Sequence, residues 1–171
     1  MRVALAVAIL LVTGCGGAEG HKAAAPEAPP RVVLETVAGR QRAVQESSCV
    51  ETTGTAVCGD TTQLEPRQLT RVRRGDTVTL RLDRGEMVSG AGGPSATVRA
   101  FGCRDELERV DLAAGGRWRV DLDPGDYSID VFTRFSAGDA KGDTSGVVGL
   151  EVTTAGRREI VPARAPRAMG C

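Results

Sequence analysis

The amino-acid sequence predicts an all-β fold, a sandwich of antiparallel strands, from three observations. Apolar and polar residues alternate with the strand period of two along several segments after residue 31, most clearly at 77–82 and 117–122. Turns rich in Gly, Pro and Asp separate these segments at the spacing typical of a sandwich. No segment carries a sustained apolar stripe with the helical period. A closed barrel is the alternative arrangement that these patterns leave open.

The predicted strands differ in how strongly they alternate. The strongest are residues 77–82, 117–122, 127–135 and 147–153, and weaker ones are predicted at 31–37, 43–51, 55–58, 96–103 and 107–112. Residues 136–146 (SAGDAKGDTSG) are rich in Gly and Asp and predict a solvated hairpin loop. Oxygen-rich loops can bind calcium, but this segment lacks the ligand spacing of a known calcium loop.

One turn points to a particular kind of sandwich. Residues 123–126 (DPGD) form a Pro-Gly turn that is followed by Tyr127 and an alternating strand. This arrangement resembles the tyrosine corner of immunoglobulin-like sandwiches, in which the tyrosine hydroxyl bonds back to a nearby backbone group. The resemblance implies an immunoglobulin-like antiparallel β-sandwich, with Trp118 buried in its core.

The N-terminus indicates export and attachment to a membrane. Residues 1–15 (MRVALAVAILLVTGC) combine a positive residue, a short apolar run and small residues before a cysteine. They resemble the lipobox of bacterial lipoproteins, which implies a signal peptide at 1–14, acylation of Cys15 and an extracytoplasmic protein anchored to the cell membrane. The small, Pro-rich residues 15–30 predict a flexible tether, and residues 31–171 a single domain. Which membrane holds the lipid stays open if the envelope has two.

The remaining cysteines predict two disulfides. Cys49, Cys58, Cys103 and Cys171 are an even number in an exported chain, and three pairings are possible. Cys49 with Cys58 and Cys103 with Cys171 are favoured, because the first pair brackets a Thr-Gly turn in a hairpin-like segment. The chain-entropy model gives these loops about 2.7 and about 4.4 kcal/mol. A zinc site is disfavoured because no two cysteines have CxxC spacing.

Composition and motifs argue against several function classes. Basic and acidic side chains number 22 each, and no basic stripe with interleaved aromatic residues predicts nucleic-acid binding. The one histidine, His21, lies in the predicted tether, so the domain lacks the usual base of a Ser or Cys nucleophile. Arg74-Gly75-Asp76 matches an integrin-binding tripeptide but is interpreted as a turn into a strand, and residues 90–94 (GAGGP) as a plain connection rather than a phosphate loop. The sequence predicts no catalytic residue, metal site or cofactor.

Three segments together suggest a family. Residues 46–66 (ESSCVETTGTAVCGDTTQLEP), 72–82 (VRRGDTVTLRL) and 122–140 (LDPGDYSIDVFTRFSAGDA) resemble exported lipoproteins of Gram-positive bacteria whose activity is undefined. In those chains a cysteine-bracketed segment ending in Cys-x-Asp, here Cys58-Gly59-Asp60, precedes a Gly-Asp strand start and a Pro-Gly-x-Tyr strand. The resemblance implies the same fold and supports the pairing of Cys49 with Cys58.

These inferences predict a binding protein rather than an enzyme. The expected function is that of a non-catalytic, lipid-anchored extracytoplasmic domain that contacts a protein partner or an envelope component through loops or an exposed sheet edge. The alternative is a carrier of a small ligand, such as a sugar, lipid or metal, with a pocket between the sheets or beneath residues 90–94.

Overall fold

The computed structural model describes residues 28–61, 65–88, 94–112 and 115–163, and these residues form strands and turns without any helix. The all-β prediction is therefore confirmed. In chain order the strands are β1 (Val32–Thr36), β2 (Gly39–Arg42), β3 (Val44–Thr52), β4 (Thr55–Asp60), β5 (Gln68–Arg73), β6 (Thr77–Leu82), β7 (Glu86–Met87), β8 (Ser95–Ala100), β9 (Glu106–Asp111), β10 (Arg117–Arg119), β11 (Gly125–Ala137), β12 (Ala140–Thr153) and β13 (Ile160–Pro162).

The strands form two open sheets that pack as a sandwich. The smaller sheet has the order β10-β6-β1-β2, and the path of the larger one is β13-β5-β12-β11-β8-β9. Two strands pair with successive parts of the same edge of the long strand β12: β3 pairs with residues 141–147 and β5 with residues 149–153. The β5–β12 pairing is parallel, whereas the other pairings are antiparallel. The sandwich prediction is confirmed, and the immunoglobulin-like subtype stays a prediction.

Alternating side chains from both sheets fill the space between them. In β6 the apolar side chains of Val78, Leu80 and Leu82 are buried while their neighbours are not, as the strand period requires. Inward-facing side chains of β11 and β12, among them Ile129 and Leu150, supply the opposite wall. The bulkiest fully buried side chains are Phe135, Leu34, Leu80, Ile129 and Leu150.

The tyrosine corner has the hydrogen bond that the sequence predicts. The hydroxyl of Tyr127 donates to the backbone carbonyl of Asp123 at 2.8 Å, which fixes the chain where it enters β11. Burial raises the pKa of this phenol, and the negative charge of Asp123 adds to the effect. Trp118 is buried in the core, as expected.

The predicted solvated loop at residues 136–146 is wrong. Strand β11 continues to Ala137 and β12 begins at Ala140, so the turn consists of Gly138 and Asp139 alone. The glycines that suggested a loop permit close approach of a neighbouring strand. A Cβ atom at Gly142 would lie 1.9 Å from the carbonyl oxygen of Cys49, so only glycine fits beside β3 at this point.

Four strands lack a clear apolar alternation and were not predicted: β2, β5, β7 and β13. In β2 the buried residue is the polar Gln41, whose amide donates to the carbonyl of Gln68 and accepts from the hydroxyl of Thr70, both at 2.7 Å. This polar contact joins the smaller sheet to β5 of the larger one. The predicted strand at 117–122 is shorter, because pairing in β10 ends at Arg119.

Several predictions fall outside the described residues. They are the signal peptide at 1–14, Cys15, the tether up to residue 27, residues 90–93 and Cys171. Within the described ranges, no helix is long and apolar enough to span a membrane.

Candidate binding surfaces of the larger sheet

A disulfide joins the two strands of a projecting hairpin. Cys49 in β3 and Cys58 in β4 are directly opposite partners and are bonded to each other, which is the pairing favoured from the sequence. Cys103 is also disulfide-bonded. The expected pairing of Cys103 with Cys171 stays a prediction, because Cys171 lies outside the described residues.

The hairpin turns over two residues with left-handed backbone conformations. Thr53 has φ of 41° and Gly54 has φ of 83°, the signs required by a type I′ turn. Such a turn matches the twist of the flanking strands and sets their register. Thr53 is unusual at this position, since a β-branched side chain disfavours positive φ.

Strand β4 lies at an edge of the larger sheet. The Cα atoms of Cys49 and Cys58 are 4.1 Å apart, a short distance that is typical of a non-hydrogen-bonded pair in an antiparallel ladder. Non-hydrogen-bonded and hydrogen-bonded pairs alternate along an antiparallel ladder. Glu46 and Thr61 are three pairs from Cys49 and Cys58 and should therefore be hydrogen-bonded, and the Thr61 amide does donate to the Glu46 carbonyl. The N–H and C=O groups of Ala56, Cys58 and Asp60 consequently point away from β3.

This outward row of backbone groups has little protection. Among the described strands β4 pairs only with β3, and each of its six residues is exposed. Native edges are commonly guarded by lysine, proline or a bulge. The sequence of β4 (TAVCGD) contains none of these guarding residues, and its single charge is Asp60 at the end of the strand. We call this side of Thr55–Asp60 the β4 edge.

A second surface lies on the outer face of the same sheet, around a half-exposed aromatic ring. Phe132 in β11 is 42 % exposed, and its cross-strand partners are Ser145 in β12 and Ser95 in β8. These small side chains leave part of the ring exposed to solvent. The row continues into β3, where the hydroxyl oxygen of Ser47 lies 2.9 Å from that of Ser145. The ring thus lies in the middle of a row of hydroxyl groups.

The ring borders a shallow pocket of about 150 Å³. We call it the Phe132 pocket, and its other polar lining residues are Glu46, Ser95, Thr97, Arg109, Asp130 and Ser145. Asp130 and Thr97 are cross-strand partners in the row next to Phe132, and Arg109 is opposite Thr97. The pocket therefore draws side chains from five strands, β3, β8, β9, β11 and β12, some of which are far apart in the sequence.

An irregularity in β3 brings Glu46 into this pocket. Gln45 pairs with Gly146 and Ser47 pairs with Ser145, so Glu46 is an extra residue between two consecutive partners. A bulge of this kind redirects a side chain relative to the regular alternation. Burial raises the pKa of the Glu46 carboxyl, and the positive charge of Arg99 partly opposes this effect.

The charges around the pocket are balanced. Asp130 forms an ion pair with Arg99, and its side chain is largely buried. Glu46 and Arg109 contribute one charge of each sign to the lining. The pocket therefore carries hydrogen-bonding groups of both kinds without a strong net charge.

A larger pocket of about 320 Å³ lies at the other end of the sheet, but its charged groups bind each other. Its central cation is Arg71, which contacts Glu151 at 3.0 Å and also pairs with Glu159. The apolar part of the lining comes from β5 and the segment around β13. We therefore regard it as a structural ion-pair cluster.

The Arg74-Gly75-Asp76 tripeptide is a turn, as predicted. Gly75 has φ of 88°, a conformation that favours glycine. The carboxylate of Asp76 accepts hydrogen bonds from the Arg73 amide at 2.8 Å and from two guanidinium nitrogens of Arg158 at 2.8 and 2.6 Å. These bonds, above all those from Arg158, lower the pKa of Asp76. Its oxygens are thus engaged within the domain rather than presented to a receptor.

The metal-ligating side chains of the described residues lie apart from one another. No group of three or more His, Cys, Asp or Glu side chains within these ranges is arranged to hold a metal ion. Asp143 and Asp139, the acids of the predicted loop, lie in β12 and in the two-residue turn. The surfaces described above are suited to binding by backbone pairing and by hydrogen bonds.

The fold and these surfaces define an all-β sandwich with an open sheet edge and a polar outer face. No known protein family matches the chain, and no curated protein or solved structure matches it either. The resemblance to exported lipoproteins accordingly stays a prediction from the sequence.

The sequence did not identify Phe132, Glu46 or Ala56 as site residues. Phe132 is visible in the sequence as an apolar residue at an outward position of an alternating strand, which is a usable signal. The side chain of Glu46 reaches the pocket only because of a bulge in β3 opposite β12. The backbone groups of Ala56 point outward only because of the order in which hydrogen-bonded and non-hydrogen-bonded pairs alternate between β3 and β4. Neither of these two features can be derived from local sequence.

Proposed function

We propose that this protein is a lipid-anchored extracytoplasmic binding domain, without catalytic activity, that captures an extended segment of an envelope protein at the β4 edge. The observation that carries the proposal is the row of outward backbone groups at Ala56, Cys58 and Asp60, which β3 leaves available. An added strand satisfies such groups with main-chain hydrogen bonds, as in β-augmentation. The disulfide between Cys49 and Cys58 ties β4 covalently to β3.

The side chains of β4 indicate what the captured segment is like. Asp60 is the only charged residue of the strand, so a Lys or Arg opposite it is favoured. Ala56 and Val57 are small or apolar and accommodate β-branched residues across the new pairing. The expected partner is therefore an extended, β-branched segment with one basic residue.

The N-terminal sequence supports the proposed attachment to a membrane outside the cytoplasm. The lipobox-like residues before Cys15 are the sequence pattern of acylation, and two or three acyl chains give lasting attachment to a membrane. The Pro-rich tether that follows suits a domain held away from the lipid surface. Replacement Cys15→Ser in the full chain is expected to move the protein from the membrane fraction to the soluble fraction. Unchanged membrane retention would contradict lipid anchoring.

The edge is tested by photo-crosslinking in cells. A photoreactive amino acid at Val57, which is partly exposed, reports what lies beside β4. Ala56→Pro removes an outward N–H and keeps the bonds to β3, whereas Ala56→Val keeps the N–H and serves as the matched control. We expect one crosslinked protein that is lost with proline and kept with valine.

Two results contradict the proposal. Equal crosslinking in the Pro and Val variants shows that the partner does not pair with the edge. A crosslink to a second copy of this chain, or to its own N-terminal segment, shows that the edge is covered by self-pairing. Mass mapping of the Cys49–Cys58 disulfide in each variant checks that the hairpin is still formed.

The small-ligand carrier predicted as the alternative stays a prediction. Among the described residues, buried apolar side chains from both sheets pack together in one cluster between the sheets. Residues 90–93, the other location, lie outside those residues.

A further inference from the structure

We infer that the Phe132 pocket binds one ring of a neutral saccharide, a function separate from strand capture at the β4 edge. The inference starts from the exposure of Phe132. Phe132 is 42 % exposed on the outer face of the larger sheet, two residues along β11 from the charged side chains of Asp130 and Arg134. The flanking partners Ser145 and Ser95 are too small to cover it. An aromatic face carries partial negative charge and attracts the polarised C–H groups on one side of a pyranose ring.

The groups around the ring match the hydroxyls of a sugar. Serine and threonine hydroxyls donate and accept, carboxylates accept, and a guanidinium donates. The lining holds all three kinds at Ser145, Thr97, Glu46 and Arg109. Alternating donors and acceptors of this kind bind a polyol better than they bind an apolar ligand.

The charge balance selects a neutral ligand. Asp130 is already paired with Arg99, and Glu46 and Arg109 carry opposite charges. An anionic sugar would be placed beside two carboxylates, and a cationic ligand beside two guanidinium groups. Neither gains a net attraction, so a saccharide without charge is the chemistry that fits.

The size and openness of the pocket limit the contact to one unit. Its volume of about 150 Å³ is below the roughly 300–1,000 Å³ of pockets for drug-sized ligands. The pocket is open along the sheet, so the bound ring can belong to a longer chain. The bulge at Glu46 supports a built site, because it turns a half-buried carboxyl toward the ring against the regular alternation.

The test uses NMR on the full chain in dodecylphosphocholine micelles, which contain no sugar. The probes are maltohexaose, cellohexaose, mannohexaose and tetra-N-acetylchitotetraose, with glucose and mannose as free monosaccharides and an oligogalacturonate as the anionic comparison. We expect shifts of the Thr97, Asp130 and Ser145 amides with at least one neutral oligosaccharide. Binding of oligosaccharides alone indicates a polymer, whereas equal binding of monosaccharides indicates a free sugar; the oligogalacturonate is expected to cause no shift.

Matched variants make the result specific. Phe132→Ala is expected to weaken binding about tenfold, because it removes the stacking surface, and Phe132→Trp to preserve it. Val37→Ala, which shortens an apolar side chain that is 79 % exposed next to the smaller sheet, is expected to leave binding unchanged.

The inference is overturned if no neutral saccharide shifts these amides, or if Phe132→Ala binds as tightly as the wild type. Preferred binding of the oligogalacturonate also overturns it. Ala56→Pro is expected to keep saccharide binding, and Phe132→Ala to keep the crosslink at β4. Failure of this inference is therefore distinguishable from failure of the proposed function.

Discussion

Removal of the Cys49–Cys58 disulfide should destabilise the β3–β4 hairpin far more than the domain. The double variant Cys49→Ser/Cys58→Ser opens a ring that spans residues 49–58, a sequence separation of 9. The chain-entropy model assigns about 2.7 kcal/mol to a loop of this length. Because 1.4 kcal/mol is a factor of ten, local opening of the hairpin becomes about 100-fold more frequent. Among the described strands β4 pairs only with β3, so the loss is expected to stay local.

Amide hydrogen exchange measures this opening residue by residue. The amides of Thr55, Val57 and Gly59 face β3 and are expected to exchange about 100-fold faster in the double variant. The amide of Val98 in β8, on the far side of the sheet, serves as the internal control and is expected to keep its rate. Acceleration of the β4 amides below about tenfold would refute the reasoning. Equal acceleration at Val98 would show instead that the disulfide stabilises the whole domain.

Three further substitutions test single contacts. Asp76→Asn removes the charge that pairs with Arg158 and is expected to lower the free energy of unfolding by at most about 1 kcal/mol at pH 7, because solvent screens this ion pair. Because the pKa of Asp76 is lowered in the folded state, this contribution exists above the unfolded pKa of about 3.9 and is lost as the pH falls through the folded pKa. Melting curves of the wild type and variant should thus converge in acid; a constant difference would contradict the assignment. Tyr127→Phe removes the bond to the Asp123 carbonyl and is expected to cost about 1 kcal/mol in urea unfolding, and no change would show the corner to be dispensable. Asparagine adopts the left-handed conformation more readily than threonine, so Thr53→Asn is expected to stabilise the hairpin by about 1 kcal/mol. The β4 amides should then exchange more slowly with solvent. Faster exchange would argue against strain at Thr53.

Sequence patterns predicted those parts of the fold in which burial alone decides the structure. Strand β6 has the bounds that its alternation predicts, because every second residue faces the core. Strand β2 was missed because its buried residue is Gln41, which is held by two hydrogen bonds rather than by apolar packing. Polar burial of this kind depends on partners 27 and 29 residues away, and no local pattern shows it.

The segment 136–146 was misassigned for a related reason. Gly and Asp disfavour strands in general, and here they were interpreted as a loop. The strand forms because Gly142 lets the backbone of Cys49 approach, and because Gly146 leaves room for the side chain of Ala43, which would lie 2.9 Å from an added Cβ atom. These glycines are needed by the neighbouring strand, so their role appears only once β3 is placed beside β12.

The same contact explains why both proposed surfaces belong to one sheet. β3 joins β12 at the close approach to Gly142, and from there it extends into the disulfide-bonded hairpin that bears the β4 edge. A few residues earlier, the irregular pairing at Ser145 and Gly146 turns Glu46 toward Phe132. A substitution such as Gly142→Ala therefore perturbs the placement of β3 and, through it, both surfaces. Ala56→Pro and Phe132→Ala each act on one surface, which makes them the sharper pair for separating strand capture from saccharide binding.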